Sequence, residues 1–280
     1  MFVFAMRNNS IKKIAVSGCG WLGLPLAKIL FEDGYTVNGS TTSVDKLHLL
    51  EQNGIIPFHM QLEPEHTIEH IQEFLDVDLL IINIPPGRST GAVDSYLDKM
   101  NYLKSEIVVS DIKKVIFVSS TSVYAENNAA QTEESKDFAT SGSAKRMLNA
   151  EHIFTELPNV ETTIIRMAGL IDLNRHPGRF FAGKSNIANG LAPINLIHLD
   201  DCIGIVCKVI NDGLWNEVYN GAAPSHPPKM DFYGLASKNL NGKPAEFIAE
   251  KASFKIVDSE KIISKGYQFK HPDLMEWLVS

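Results

Sequence analysis

Cysteine is scarce: three in 280 residues, Cys19, Cys202 and Cys207, an odd count without metal-ligand spacing. That excludes a disulfide-stapled module, leaves no metal site to expect, and makes a reduced cytoplasmic setting the expectation. Long apolar runs are also lacking. The longest, Val77 to Pro86, falls far short of the roughly 20 residues a bilayer-crossing helix needs. Met1 to Met6, ahead of Arg7, is too short for the apolar core of a signal peptide. Positive charge is in deficit, with 26 Lys and Arg against 33 Asp and Glu and a net charge of -7. Because the basic residues are scattered rather than striped, neither nucleic acid nor an anionic membrane is an expected partner. No low-complexity tract or internal repeat is present, and 44% hydrophobic with 21% charged residues is the balance of an ordinary folded domain.

The first half alternates short β-branched runs with helix-length amphipathic stretches. Strands are predicted at Lys13–Val16, Tyr35–Asn38, Ile55–Phe58, Leu79–Ile82, Val115–Val118 and Thr162–Ile165. Helices are predicted over about Leu22–Asp33, Ser43–Asn53, Thr67–Leu75, Val93–Ser110 and Ser143–Leu157. Leu79–Ile82 has no polar alternation, as expected of a strand covered on both faces. The pattern predicts an α/β, doubly wound parallel sheet, a Rossmann fold, over residues 1–168. Beyond it, Gly-, Pro- and Asn-rich stretches broken by helices near Asp200–Asn211, Lys229–Leu240 and after Pro272 predict a smaller C-terminal lobe over 169–280.

Ser17-Gly18-Cys19-Gly20-Trp21-Leu22-Gly23 follows the first strand and opens the first helix, the placement that gives G-x-G-x-x-G its meaning. Gly18 permits the tight turn, Gly20 lets a pyrophosphate approach the backbone, and Gly23 permits close helix–strand packing. The helix N-terminus at Trp21 and Leu22 then favours an anion. At the end of the second strand, where NAD sites carry an acid for the adenosine ribose, the chain reads Gly39-Ser40-Thr41-Thr42-Ser43, then Lys46. Thr41, Thr42, Ser43 and Lys46 suit a 2′-phosphate, so NADP is expected over NAD, which is possible; an ordinary Ser/Thr helix cap explains the same residues.

Past the fifth strand, Ser119-Ser120-Thr121-Ser122-Val123-Tyr124 gathers hydroxyls at the edge where open α/β sheets bind ligands. This segment resembles the S-S/T-x-x-V-Y stretch of the extended short-chain dehydrogenase/reductases, the NAD(P)-dependent sugar-nucleotide epimerases and dehydratases. Asn83-Ile84-Pro85-Pro86-Gly87, Ile164 to Gly169 and Asn195-Leu-Ile-His198-Leu-Asp-Asp201 resemble further family segments in order along the chain. The resemblance implies that Ser120 hydrogen-bonds the reacting carbonyl or hydroxyl and that Lys145 holds the nicotinamide ribose. It also implies that Asn83, Ile84 and Pro85 border the ring with Met167 and Ala168, and that Thr121 and Ser122 face the substrate. Arg88 is placed either to meet a substrate phosphate or as a mobile surface residue.

Two departures mark an atypical member. The family's Y-x-x-x-K tyrosine is replaced by Ser141, four residues before Lys145, and no tyrosine lies between Tyr124 and Tyr219. An aliphatic hydroxyl ionises far less readily than a phenol near pKa 10. The glycine spacing is also one residue shorter than the family's usual G-x-x-G-x-x-G. The expected function is an NAD(P)-dependent oxidoreductase or epimerase-like enzyme on a small hydroxylated or nucleotide-sugar-like substrate; the alternative is a catalytically silent NADP(H)-binding sensor. The assembly is expected to be a monomer or homodimer. Tyr96, Met100, Leu103 and Ile107 form an apolar stripe that either a partner or the core could bury. His66-Thr-Ile-Glu-His70 matches H-x-x-E-H in form, but a solvated helix face is the expectation there.

Overall fold

The computed structural model describes residues 11–62, 69–86, 95–240 and 243–280. A seven-stranded parallel sheet carries the fold, in the order β10-β7-β5-β4-β1-β2-β3. Its strands are β1 (Lys13–Ser17), β2 (Thr36–Thr41), β3 (Ile56–His59), β4 (Leu79–Ile82), β5 (Lys114–Ser120), β7 (Glu161–Met167) and β10 (Val218–Gly221). Every side chain of β4 is fully buried, which accounts for its unbroken apolar sequence. Register is fixed by pairings such as Val16 with Gly39 in β2 and Val16 with Ile81 in β4. Because the order reverses between β1 and β4, the segments leaving Ser17 and Ile82 diverge. Such a switch point is where doubly wound sheets open a crevice.

Helices lie at the predicted places, α1 (Gly23–Glu32), α2 (Leu47–Gln52), α3 (Ile71–Phe74), α4 (Tyr96–Val108), α5 (Gly142–Thr155), α6 (Leu199–Asp212), α7 (Lys229–Asn239) and, after the unpredicted five-residue α8 (Glu260–Ser264), α9 (Leu274–Val279). Tyr96, Met100, Leu103 and Ile107 are all at most 2% exposed on α4, so the core buries that stripe. Two three-residue strands, β8 (Gly169–Ile171) and β9 (Leu196–His198), pair with each other, as do β6 (Ala129–Gln131) and β11 (Lys255–Val257).

Two compact units interleave along the sequence. One comprises residues 1–119, 145–165 and 206–218; the other comprises 120–144, 166–205 and 219–280. The second has its own apolar cluster, in which Ile171, Ile194, Leu196, Phe232, Tyr233 and Leu274 pack together. No helix among the described residues is long and apolar enough to cross a membrane.

Candidate nucleotide turn and substrate cleft

In the first unit the glycine turn is held on several sides. Gly18 sits at φ 96°, a left-handed conformation that glycine adopts without strain. Its amide donates to Ser40 Oγ at 3.0 Å and its carbonyl accepts from Asn83 Nδ2 at 3.2 Å. The next amide, of Cys19, donates to the Ser40 carbonyl at 2.8 Å, and Asn83 N donates to the Ser17 carbonyl at 2.9 Å. The ends of β1, β2 and β4 thus clamp one turn.

The three glycines have different reasons to be glycine. A Cβ on Gly18 would lie 2.6 Å from the Asn83 carbonyl oxygen, and one on Gly23 would lie 2.1 Å from that of Gly18. A Cβ on Gly20 would meet nothing within 4 Å. Packing therefore requires Gly18 and Gly23, whereas Gly20 keeps an approach to the backbone open. Leu22 is buried and Trp21 is half-buried. The first turn of α1 has no acidic residue, which leaves the positive end of its dipole available to an anion. Burial pushes the Cys19 thiol up to about 12, so Cys19 serves this turn as a small buried side chain rather than as a nucleophile.

At the end of β2, Ser40 and Thr41 are buried while Thr42 and Lys46 are exposed and Ser43 is half-buried. Thr41 Oγ1 accepts from the Ser43 amide at 3.2 Å. Ser43 precedes the 3-10 turn Val44–Lys46 but its side chain forms no cap hydrogen bond, so capping does not occupy its hydroxyl. Asp45 lies in the same turn. Asn83 and Ile84 are half-buried and Pro85 is exposed, and the Ile84 carbonyl accepts from Tyr96 OH at 3.2 Å. Lys145 is exposed on α5. At the head of that helix Ser141 Oγ accepts from the Ala144 amide at 3.3 Å and lies 3.2 Å from Ser143 Oγ. Ser141, where the sequence resemblance expects a phenol, is thus a helix-capping hydroxyl. Arg88 and His66 lie outside the described residues. His70 is exposed, with Nδ1 at 2.9 Å from Glu73 Oε1.

The second unit contains a cleft of about 360 Å³ lined by Ser120, Thr121, Ser122, Ala168, Gly169 and Asn195 together with Lys229, Tyr233 and Lys255. Ser120 Oγ accepts from the Ser122 amide at 3.1 Å, which leaves its own proton to donate. Met167 does not line the cleft. It is 2% exposed, and its Sδ would be 2.7 Å from a Cβ on Gly221. Tyr124 is fully buried; its hydroxyl donates to Asn220 Oδ1 and accepts from Arg166 Nη1, each at 2.8 Å. The Arg166 guanidinium also stands 5.0 Å from the centre of the Tyr124 ring. Burial raises the Tyr124 phenol, with Arg166 opposing. Both side chains are therefore committed to structure.

Sequence reasoning missed Lys229, Tyr233 and Lys255, because no local motif marks them and they reach the cleft from separate segments. Lys255 Nζ donates to the Tyr124 carbonyl at 2.7 Å, and burial holds its ammonium below the ordinary lysine range, opposed by Glu126. Burial pushes the Tyr233 phenol up to about 12. Asn195 ties the wall together: its side chain donates to the Lys255 carbonyl at 2.9 Å and accepts from the Val257 amide at 2.7 Å.

No family model matches the chain. Protein YeeZ of Escherichia coli K12 is 33% identical over 268 residues, covering 94% of this chain and 97% of YeeZ. Among solved structures, UDP-glucuronic acid 4-epimerase from Bacillus cereus in complex with NAD matches with a TM-score of 0.76 at 19% identity, over 95% of this chain and 96% of that one. Human epimerase family protein SDR39U1 with NADPH gives a TM-score of 0.73 at 16% identity, over 95% and 97%. At those identities the structural likeness is one of fold, whereas the likeness to YeeZ extends along both sequences. The chain thus belongs to the family of Escherichia coli YeeZ and has the fold of the extended short-chain dehydrogenase/reductases.

Proposed function

We propose that this protein is a nicotinamide-dinucleotide-dependent oxidoreductase or epimerase-like enzyme acting on a small hydroxylated substrate, with NADP preferred to NAD. The observation that carries the reading is the open face of Gly20 between two packing-locked glycines, at a helix N-terminus and a topological switch point. These residues fit a dinucleotide. Gly20 and the first turn of α1 hold the pyrophosphate, and Thr42, Ser43 and Lys46 hold the 2′-phosphate on a turn shaped by Thr41. Asn83, Ile84 and Pro85 border the nicotinamide, and Lys145 hydrogen-bonds its ribose. When bound, that group supplies a hydride donor or acceptor. Ser120 donates its proton to the reacting oxygen of the substrate, beside Thr121, Ser122 and Ala168. Met167 supports that wall from behind. In place of the absent phenol, the cleft offers Tyr233 and Lys255 as proton-bearing groups. The bound NAD of the Bacillus cereus epimerase and the NADPH of SDR39U1 support a nicotinamide cofactor on this fold.

Parallel calorimetric titrations with NADPH and NADH test the reading. Micromolar binding, tighter for NADPH and with the difference narrowed by Lys46→Ala, is expected; failure of both cofactors to bind refutes it. A second reading, a cofactor-binding sensor without turnover, is favoured by Ser141, whose hydroxyl is engaged in capping. Tight cofactor binding without turnover across a panel of carbonyl compounds and nucleotide sugars would select that reading. Turnover abolished by Ser120→Ala would select the enzyme.

A further inference from the structure

Outside the cleft and the glycine turn, the second unit brings the imidazole of His271 to a neighbouring imidazole and carboxylate about 70 positions earlier in the sequence. We propose that His198, Asp200 and His271 form a binding site for one first-row divalent cation, zinc by preference. His198 ends β9, Asp200 lies in the first turn of α6, and His271 arrives from the segment before α9. One ligand atom from each lies within 4.8 Å of the other two. Asp200 Oδ2 is 3.2 Å from His271 Nε2 and 3.7 Å from His198 Nδ1. Ligands on a tetrahedral zinc at its usual bond lengths stand about 3.3 Å apart, so small side-chain movements complete the geometry.

The neighbouring carboxylate does the positioning. Asp201 is fully buried, and it accepts from Tyr267 OH at 2.8 Å, from Lys270 N at 2.7 Å and from His271 N at 3.0 Å. It thereby fixes the backbone that carries the His271 ring and leaves Asp200 to ligate. The His198 ring is flanked by His271 and Trp277, with centroids 4.0 and 5.1 Å away. This division between a ligating group and an orienting one is the usual construction of a metal site. Two imidazoles and one carboxylate suit zinc and its neighbours rather than calcium or magnesium, which prefer oxygen alone, and three protein ligands leave a fourth position for water.

The proton balance is simple. Now His271 Nε2 shares a proton with Asp200, and His198 Nδ1 accepts from the Asp200 amide at 3.2 Å. On binding, the His271 proton moves to Nδ1 and frees the Nε2 lone pair, with no net proton released. His198 Nδ1 exchanges its long hydrogen bond for a coordinate one.

The full-length protein, stripped with a chelator and reloaded with zinc, tests this by elemental analysis after gel filtration, competition with a chromophoric chelator, and the visible spectrum of the cobalt form. One zinc per chain, a tetrahedral cobalt spectrum and a melting temperature raised by roughly 5 °C are expected. His271→Gln and Asp200→Asn should each weaken zinc at least about 100-fold and abolish the thermal shift, while their zinc-free far-ultraviolet circular dichroism matches the parent protein. Zinc that binds both variants as tightly as the parent lies elsewhere and overturns the proposal, as does the lack of stoichiometric zinc in the parent. Should either variant fail to fold, His198→Gln and the cobalt spectrum of the parent decide: an octahedral spectrum, or retention of zinc by His198→Gln, overturns it.

Discussion

Substituting Gly20 and Gly23 separately by alanine distinguishes packing from cofactor binding within one motif. At Gly23 the added methyl would stand 2.1 Å from the Gly18 carbonyl oxygen, 3.0 Å from its carbon and 3.1 Å from Asn83 Nδ2. The first two obstacles are backbone, so the turn itself must shift by roughly 1 Å to restore van der Waals separation. Overpacking of this kind costs about 1–3 kcal/mol, and a backbone obstacle puts Gly23→Ala near the top of that range. At about 2–4 °C per kcal/mol for a chain of this size, the melting temperature should fall by roughly 6–12 °C. At Gly20 the methyl meets nothing within 4 Å, and the loss of unfolded-state freedom should leave stability unchanged or raise it by up to about 1 kcal/mol. That same methyl occupies the approach proposed for the pyrophosphate, so NADPH should bind at least about tenfold more weakly, or about 1.4 kcal/mol. Thermal denaturation reads the first quantity and calorimetry the second, the latter being preferable to fluorescence because Trp21 adjoins the mutated position. A Gly20→Ala protein that is both as stable and as tight-binding as the parent would refute the placement of the pyrophosphate at Gly20.

Other consequences concern buried groups. Tyr124→Phe removes the hydroxyl between Asn220 and Arg166 and should cost about 1–3 kcal/mol in urea unfolding; an unchanged midpoint would contradict the structural role given to this tyrosine. With its thiol raised to about 12, Cys19 exists as thiolate at only about one part in ten thousand at pH 8. Native protein should therefore be alkylated at no more than one cysteine, the half-buried Cys207, as peptide mass mapping would show. His176 is held below its ordinary range by burial, aided by Arg179, and its Nδ1 accepts from the Gly178 amide at 3.1 Å. The unfolded chain thus binds a proton there at a higher pH than the folded one. His176 contributes stability in full above about pH 6.5 and loses it as the pH falls from there through the folded value. His176→Asn should flatten the corresponding part of a stability-against-pH curve; an unaltered slope would count against the assignment.

The parallel sheet was legible in the sequence because its central strands are covered on both faces. Leu79–Ile82 could be located residue for residue, since a run of four buried aliphatics leaves little ambiguity. The seventh strand, Val218–Gly221, escaped because Asn220 and Gly221 interrupt any apolar run. Asn220 belongs there for a tertiary reason, namely its bonds to Tyr124 and to the Asp258 carbonyl. The short strands β6, β8, β9 and β11 were invisible for a related reason: three residues carry no measurable period. In the helix read over Thr67–Leu75, the regular turn is confined among the described residues to Ile71–Phe74, following His70 at φ 62°.

Local chemistry was legible wherever one segment sufficed. The glycine motif could be read because turn, anion approach and helix packing fall within seven residues, and the structure separates those requirements at Gly18, Gly20 and Gly23. Long-range assemblies could not be read in this way. Lys229, Tyr233 and Lys255 enter the cleft with Ser120 only through the folding of the second unit, and His271 reaches Asp200 across 71 positions. This distinction bears on the missing phenol. Judged by its local motif, the chain has a capping serine, Ser141, where the resemblance expects an acid/base phenol. Judged by its folded cleft, it has a phenol, Tyr233, and two lysines, Lys229 and Lys255, and burial destabilises the charge of Lys255. Proton transfer depends on groups within reach of the reacting atoms, whatever their position in the sequence. On the proposed function, the absence of a phenol at position 141 closes one route for the proton, while Lys229, Tyr233 and Lys255 still line the cleft. In a chain that turns over substrate, Tyr233→Phe and Lys255→Met should divide that role. The variant that carries it should lose kcat and one limb of the pH profile, while the other changes KM alone; unchanged kcat in both would exclude Tyr233 and Lys255 as the proton source.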